Sequence, residues 1–243
     1  KAFQAMMGQA QTGSQKGKLR AAFFAPKLWP ANTEITVGFY KGSDKIKRTK
    51  TSDLLRNTES KIDPLQKELE DTPIVEGIKK IIKERIAPLV NLKFIFVDEV
   101  DDADIRIGFN PTGGAYSLVG TDALNQKSDA TMNFGWFDVP TVIHEFGHML
   151  GMIHEHQNPE GNSIAWDEDK VIEWAETTQG WSEETTRTNI LDTYDADTIN
   201  GSNFDPGSVM LYFFPGSLTT NNQGTYQNLR LSGLDAEWIA KMY

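Results

Sequence analysis

The chain has 243 residues, 34 of them acidic and 24 basic, for a net charge of −10, and it contains no cysteine. This balance excludes a nucleic-acid binder, because phosphate contacts demand a basic surface. The missing thiols exclude disulfides, cysteine zinc fingers and thiol nucleophiles. No stretch approaches the roughly 18 apolar residues of a membrane span, and the length suits one large domain, or two lobes around a shared cleft.

The sequence opens on Lys1, which points to a processed or trimmed end. Residues 1–26 are rich in Gln, Gly, Lys, Ala and Ser with weak periodicity. They read as a poorly ordered arm or the remnant of a pro-segment, or else Ala21–Phe24 packs on the body as a short anchor. Ile35–Tyr40, β-branched and aromatic, predicts a strand, and Lys41–Lys50 a basic turn. Ile74, Ile78, Ile81, Ile82 and Ile86 recur at helical spacing, so Ile74–Ala87 predicts a helix opened by Thr72-Pro73 and stopped by Pro88. Leu92–Val97 and Ala103–Phe109 predict strands flanking the acidic turn Asp98–Asp102. Ala115–Gly120 and Ala130–Trp136 are two further strand candidates. Beyond Gly161 the pattern turns to loops and helices, over Asp167–Thr177, Ser182–Leu191 and Ser232–Tyr243.

All four histidines fall between positions 144 and 156, in His144-Glu145-Phe146-Gly147-His148-Met149-Leu150-Gly151-Met152-Ile153-His154-Glu155-His156. His144 and His148 stand four apart, so on a helix both imidazoles leave one face toward a common point. Imidazole nitrogens bind zinc at about 2.0–2.1 Å, and a catalytic zinc keeps one position open for water. Glu145, beside the first ligand, is placed to take that water's proton as a general base. A helix continued to position 154 would carry His154 away along its axis. Gly151 readily takes positive φ, so it can end the helix and return the chain under the metal, where His154 becomes the third ligand. A structural zinc site fits less well, since such sites usually have four protein ligands. His156 is read as a residue behind the ligands or on the surface.

This extended HExxHxxGxxH pattern resembles that of the metzincin metallopeptidases. Downstream, Ser208-Val209-Met210-Leu211-Tyr212, preceded by Asp205-Pro206-Gly207, resembles their Met-turn. The resemblance implies an α+β (mixed α/β) zincin fold over residues 27–243. Its N-terminal lobe (27–151) would hold a twisted mixed sheet and two long helices. Its C-terminal lobe (152–243) would be irregular with helices, and the active-site cleft would lie between the two. It further implies Met210 as an apolar floor under the ligands and Tyr212 as a residue that approaches the metal and stabilises an oxyanion. Glu155 and the Ser-Val-Met-x-Tyr stretch make the chain most similar to the astacin branch. The absent cysteines and the His156-Gln157-Asn158-Pro159 continuation depart from that branch and point to a disulfide-free, bacterial-type relative. Glu155 either anchors a mature N-terminus, as in astacins, or bonds within its own loop.

In that family order, Ala115–Gly120 takes the place of the edge strand that rims the cleft, with Ala130–Trp136 following. A protein or peptide substrate would then bind extended along it by strand addition, and Phe213–Thr220 would wall the primed side. The expected function is hydrolysis of internal peptide bonds by a zinc-dependent endopeptidase with one catalytic zinc ion. Glu145 and Tyr212 would be catalytic, with His144, His148 and His154 as metal ligands. The alternatives are a zinc amidase acting on cell-wall peptides and a non-catalytic binding protein on the same scaffold. Asp98–Asp102 lacks the spaced pattern of a calcium loop, so calcium has no support. A secreted monomer with neither nucleic-acid nor membrane partners is expected.

Overall fold

In the computed structural model, which describes residues 23, 27–55, 61–159, 164–194 and 203–243, the β-branched run forms β1 (Glu34–Phe39). Its Ile35 and Val37 point into the core and are fully buried. The expected basic turn contains a two-residue strand, β2 (Lys47–Arg48). Two single-turn helices without a periodic signal follow, α1 (Thr51–Leu54) and α2 (Leu65–Glu68). The predicted isoleucine helix is α3 (Ile74–Ile81). It runs on as a π turn over Ile82–Ile86 and a 3-10 turn that contains Pro88. Ile78, Ile81, Ile82 and Ile86 face the core together, which is the burial that 3.6-residue periodicity requires.

Four strands then build the sheet: β3 (Lys93–Val97), β4 (Ile105–Gly108), β5 (Tyr116–Ser117) and β6 (Met132–Asn133). The predicted strand Ala130–Trp136 proves to be two pieces. Past β6, the chain turns at Gly135 and Trp136 enters β7 (Trp136–Phe137), which pairs with β2 in a separate parallel ribbon. The main sheet has the order β3-β1-β4-β6-β5. All its pairs are parallel except β5 with β6, and β5 lies at the edge. The acidic turn holds a 3-10 turn, Val100–Asp102, in which Asp101 accepts a hydrogen bond from the Tyr40 hydroxyl at 3.0 Å.

The helix α4 (Val139–Met149) is buried along its whole length, in the core it shares with the sheet. The C-terminal part carries α5 (Glu168–Gln179), α6 (Glu183–Thr186), a π turn over Arg187–Leu191, and α7 (Gly233–Met242). Asp167, Ser182 and Ser232 each accept a backbone N–H group at the start of these helices. Two hydrophobic cores result among the described residues. The larger joins the sheet, α3 and α4, and the smaller gathers Val171, Ile190, Tyr212, Phe214 and Leu218. Of the N-terminal arm, residues 1–22 and 24–26 lie outside the described residues. Phe23 is fully buried and forms an antiparallel bridge with Met152, as the anchoring alternative requires at that residue.

The start of α4 is fixed from two sides. Asp138 accepts the Thr141 N–H at 2.8 Å, and buried Gln66 accepts the Val139 N–H at 2.8 Å while donating to the Thr49 carbonyl at 2.9 Å. Helix amides that lack an intrahelical partner must be met this way when buried. Gln66→Leu keeps the volume but leaves both backbone groups without partners. Chemical denaturation should show a loss on the order of 2 kcal/mol, and an unchanged midpoint would refute the role assigned to Gln66.

Candidate active site

Helix α4 presents His144, Glu145 and His148 from its buried face. Its end is closed by a left-handed residue, Gly151, at φ 95°. The Gly151 N–H donates to the His148 carbonyl at 2.8 Å, and the Met152 N–H donates to the Gly147 carbonyl at 2.9 Å. These are the two bonds of a Schellman turn, and they send the chain back toward the helix face. His154 arrives there as expected. One ring nitrogen from each of His144, His148 and His154 lies within 4.8 Å of the others, and Nε2 of His148 stands 3.1 Å from Nε2 of His154. Tetrahedral ligands at zinc distance are about 3.3 Å apart, the spacing of the His148–His154 pair, and the trio as a whole is close enough to share one ion.

The other ring nitrogens of His144 and His148 are occupied by backbone carbonyls. His144 Nδ1 donates to Val209 O at 2.9 Å and His148 Nδ1 donates to Met152 O at 2.8 Å. Each bond fixes the tautomer and leaves the Nε2 lone pair free to ligate. Nε2 of His144 is buried and has no hydrogen-bond partner among the described residues, and the same holds for Oε2 of Glu145. Such atoms are costly unless something polar meets them, and a cation suits the nitrogen. Burial, reinforced by the neighbouring His148, lowers the His144 pKa to about 3, and burial lowers that of His148 to about 4. His154 is shifted well down by burial and then by the other three histidines. All three imidazoles are therefore neutral at neutral pH, the form that binds metal.

The floor comes from the Met-turn. Met210 is fully buried, and its Sδ lies only 2.6 Å from where a β-carbon on Gly147 would stand. The glycine makes room for the methionine beneath the ligand helix. The turn itself is held by Asp235 of α7, whose Oδ1 accepts from the Ser208 hydroxyl at 2.7 Å and whose Oδ2 accepts the Val209 N–H at 3.0 Å. The Met210 N–H in turn donates to Ser208 Oγ at 3.0 Å. Glu155 bonds locally. Its Oε1 accepts from Asn158 Nδ2 at 2.9 Å and from the Asp205 N–H at 2.8 Å, which ties the third-ligand loop to the Met-turn.

Tyr212 stacks on His144, with ring centroids 5.4 Å apart and planes 14° apart, and its centroid is 4.3 Å from that of His154. Burial and the charge of Glu145 hold its phenol pKa well above the ordinary value. His156 is not on the surface. It is fully buried, donates from Nε2 to the Asn189 carbonyl at 3.0 Å, and stacks 5.3 Å from His154. The sequence reading did not find the carbonyls of Val209 and Met152, nor Ser208 and Asp235 as supports. Backbone carbonyls carry no sequence signal, although the Ser232-x-x-Asp235 capping pattern is legible.

Three histidines closing on one point over a methionine turn, with a buried glutamate beside them, define a zinc metallopeptidase of the metzincin type. The family model for the astacin peptidases matches residues 79–243, and the chain belongs to that family. Two solved structures of myroilysin are similar. One is 33% identical, covers 91% of this chain and 97% of its own, and superposes with a TM-score of 0.72. The other is 31% identical, covers 97% of each chain and gives 0.56. High choriolytic enzyme 1, a hatching-enzyme zinc protease from the medaka fish Oryzias latipes, is 15% identical over 82% of this chain and 95% of its own, with a TM-score of 0.46. No match is found among curated proteins. The chain is thus a zinc-dependent metalloendopeptidase whose substrates are proteins or peptides.

Burial raises the Glu155 pKa from 4.5 to about 7, against the bonds from Asp205 and Asn158 that lower it. A folded-state pKa above that of the unfolded chain means that stability present at low pH is lost as pH rises toward and through about 7. Glu155→Gln keeps an acceptor for both bonds but does not titrate. Its unfolding free energy relative to wild type should rise by on the order of 3 kcal/mol between about pH 4.5 and 7.5. Denaturation of the zinc-free proteins across that range checks this, and a flat difference would contradict it.

Proposed function

We propose that His144, His148 and His154 hold the zinc ion, that Glu145 is the general base, and that Tyr212 stabilises the oxyanion. The observation that carries this reading is the convergence of three neutral imidazoles beside a buried carboxylate whose Oε2 has no hydrogen-bond partner among the described residues. When bound, zinc supplies a Lewis acid that polarises the scissile carbonyl and acidifies water. Glu145 takes the proton of the attacking water on its free carboxylate oxygen and delivers it to the departing nitrogen. Burial raises its pKa well above the usual carboxylate range, which makes it a stronger proton acceptor than an exposed carboxylate. The Tyr212 phenol stays protonated for the reason given above, so it can donate a hydrogen bond to the charge that develops on the carbonyl oxygen.

An extended substrate would add to β5, the edge strand of the sheet, by main-chain bonds that need no terminus, which suits an endopeptidase. Phe213, 40% exposed beside Tyr212, supports the reading of residues 213–220 as a cleft wall. We take residues 27–243 as the catalytic domain, with lobes meeting at Gly151-Met152 and residues 1–26 as an arm or pro-segment remnant. Phe23 is its anchored point. Secretion and a monomeric state belong to the same proposal. Among the described residues no helix is long and apolar enough to cross a membrane.

Glu145→Ala should retain one zinc per chain by metal analysis while hydrolysis of a quenched fluorescent peptide falls by about 10²–10⁴-fold. Full proteolysis in that variant would sink the mechanism. Tyr212→Phe should lower kcat by on the order of 10²-fold with little change in KM, and an unchanged kcat would remove Tyr212 from the reaction.

A further inference from the structure

A helix leaves its last four carbonyls without intrahelical partners, and in α4 these lie under the proposed zinc ligands. The Schellman turn satisfies those of Gly147 and His148. Two remain, Met149 and Leu150, and both are met by side chains from distant parts of the chain. The Trp29 indole Nε1 donates to Met149 O at 2.8 Å, and the Tyr243 hydroxyl donates to Leu150 O at 2.6 Å. Trp29 is 4% exposed, and Tyr243 is half-buried at the end of α7. Burial holds the Tyr243 phenol in its protonated, donating form, against a lowering contribution from the Trp29 backbone N–H.

The same few residues are braced further along. Leu28 and Phe23 lie 3.0 Å and 3.7 Å from the position of a β-carbon on Gly151, and Phe23 bridges Met152. Met152 is the residue whose carbonyl accepts His148 Nδ1. The peptide planes from Met149 to Met152 therefore set the direction of His148 and the path to His154. They are held by Trp29 and Tyr243 rather than by the helix alone.

We propose that Trp29 and Tyr243 are positioning residues for the zinc site: their two donors clamp the C-terminal end of α4 and hold His148 and His154 in ligating geometry. This rests on the ligand reading above. Removing a partner that orients a metal ligand from behind typically weakens metal binding by about 10- to 100-fold. Trp29→Phe and Tyr243→Phe keep an aromatic ring and delete the donors. Lys27→Met serves as a control, since it removes the ion pair with Asp122 from the same segment without touching the turn.

Zinc affinity is measured by competition with a chromophoric chelator, well below the melting temperature of the zinc-free proteins, and cobalt-substituted samples report ligand geometry through their visible spectra. We expect both clamp variants to bind zinc about 10- to 100-fold more weakly with altered cobalt spectra, and Lys27→Met to match wild type. Wild-type affinity and an unchanged spectrum in both clamp variants would overturn the proposal. So would an equal loss in Lys27→Met, because the effect would then belong to the segment as a whole. His154→Ala separates this from failure of the ligand reading. If it binds zinc as well as wild type, the ligand assignment itself falls. If it loses zinc while the clamp variants do not, only the clamp falls. Tyr243→Phe, at a half-buried position, keeps the test available should Trp29→Phe not fold.

Discussion

A buried imidazole has two nitrogens and can give only one of them to a metal, so the other must be satisfied by something that does not move. In this enzyme that constraint is met by main-chain carbonyls, Val209 O for His144 and Met152 O for His148. Each carbonyl belongs to a turn rather than to a regular element. The geometry of the site is therefore only as good as the geometry of two turns. Much of the rest of the molecule is occupied with holding them. The Gly151 turn takes its shape from one left-handed glycine, and the Met-turn is built on a carboxylate of α7 that binds a hydroxyl and an amide at once.

The arrangement also explains why the two cores meet at the histidines. His144 and His148 sit on a helix embedded in the larger core, while Tyr212 belongs to the smaller one. Tyr212 nevertheless stacks on His144, and Val209, three residues earlier, supplies the carbonyl behind it. An imidazole rooted in one core is thus oriented by backbone that continues into the other. Glu155 closes the circuit from the third-ligand loop, with its carboxylate on Asp205 and its own N–H on Met210 O. A shift of the backbone in either core would be felt as a rotation of an imidazole. Close packing transmits such shifts because interiors have little free volume to absorb them.

What the sequence reveals about this protein follows from where each signal is written. The isoleucine helix, the cap at Ser182 and the first strand are legible because periodicity and capping are local. The two-residue ribbon of β2 with β7 is not legible, since Lys47-Arg48 becomes a strand only by pairing with Trp136-Phe137 far along the chain. The same division holds at the site. The three histidines and Gly151 are readable because side-chain type and backbone freedom are chemical facts of single residues. The carbonyls of Val209 and Met152 are invisible because every residue has one. His156 shows the limit from the other side. Its chemistry is a ligand's, it stands beside the three proposed ligands, and only the structure turns it away, toward Asn189.

The energetics point in the same direction as the geometry. Burying four neutral histidines opposes folding below their ordinary pKa, because the unfolded chain would take up protons that the folded chain cannot. Leaving His144 Nε2 in the interior without a hydrogen-bond partner among the described residues opposes it further. Neither feature would persist in a fold selected for stability alone. Both make sense where desolvated lone pairs are to be spent on a cation, since binding that prefers the folded state adds its free energy to the fold. The deep shifts at His144 and His148, to about 3 and about 4, then have a second consequence. Protons do not compete for these nitrogens over the neutral range, which leaves their lone pairs open to a cation there.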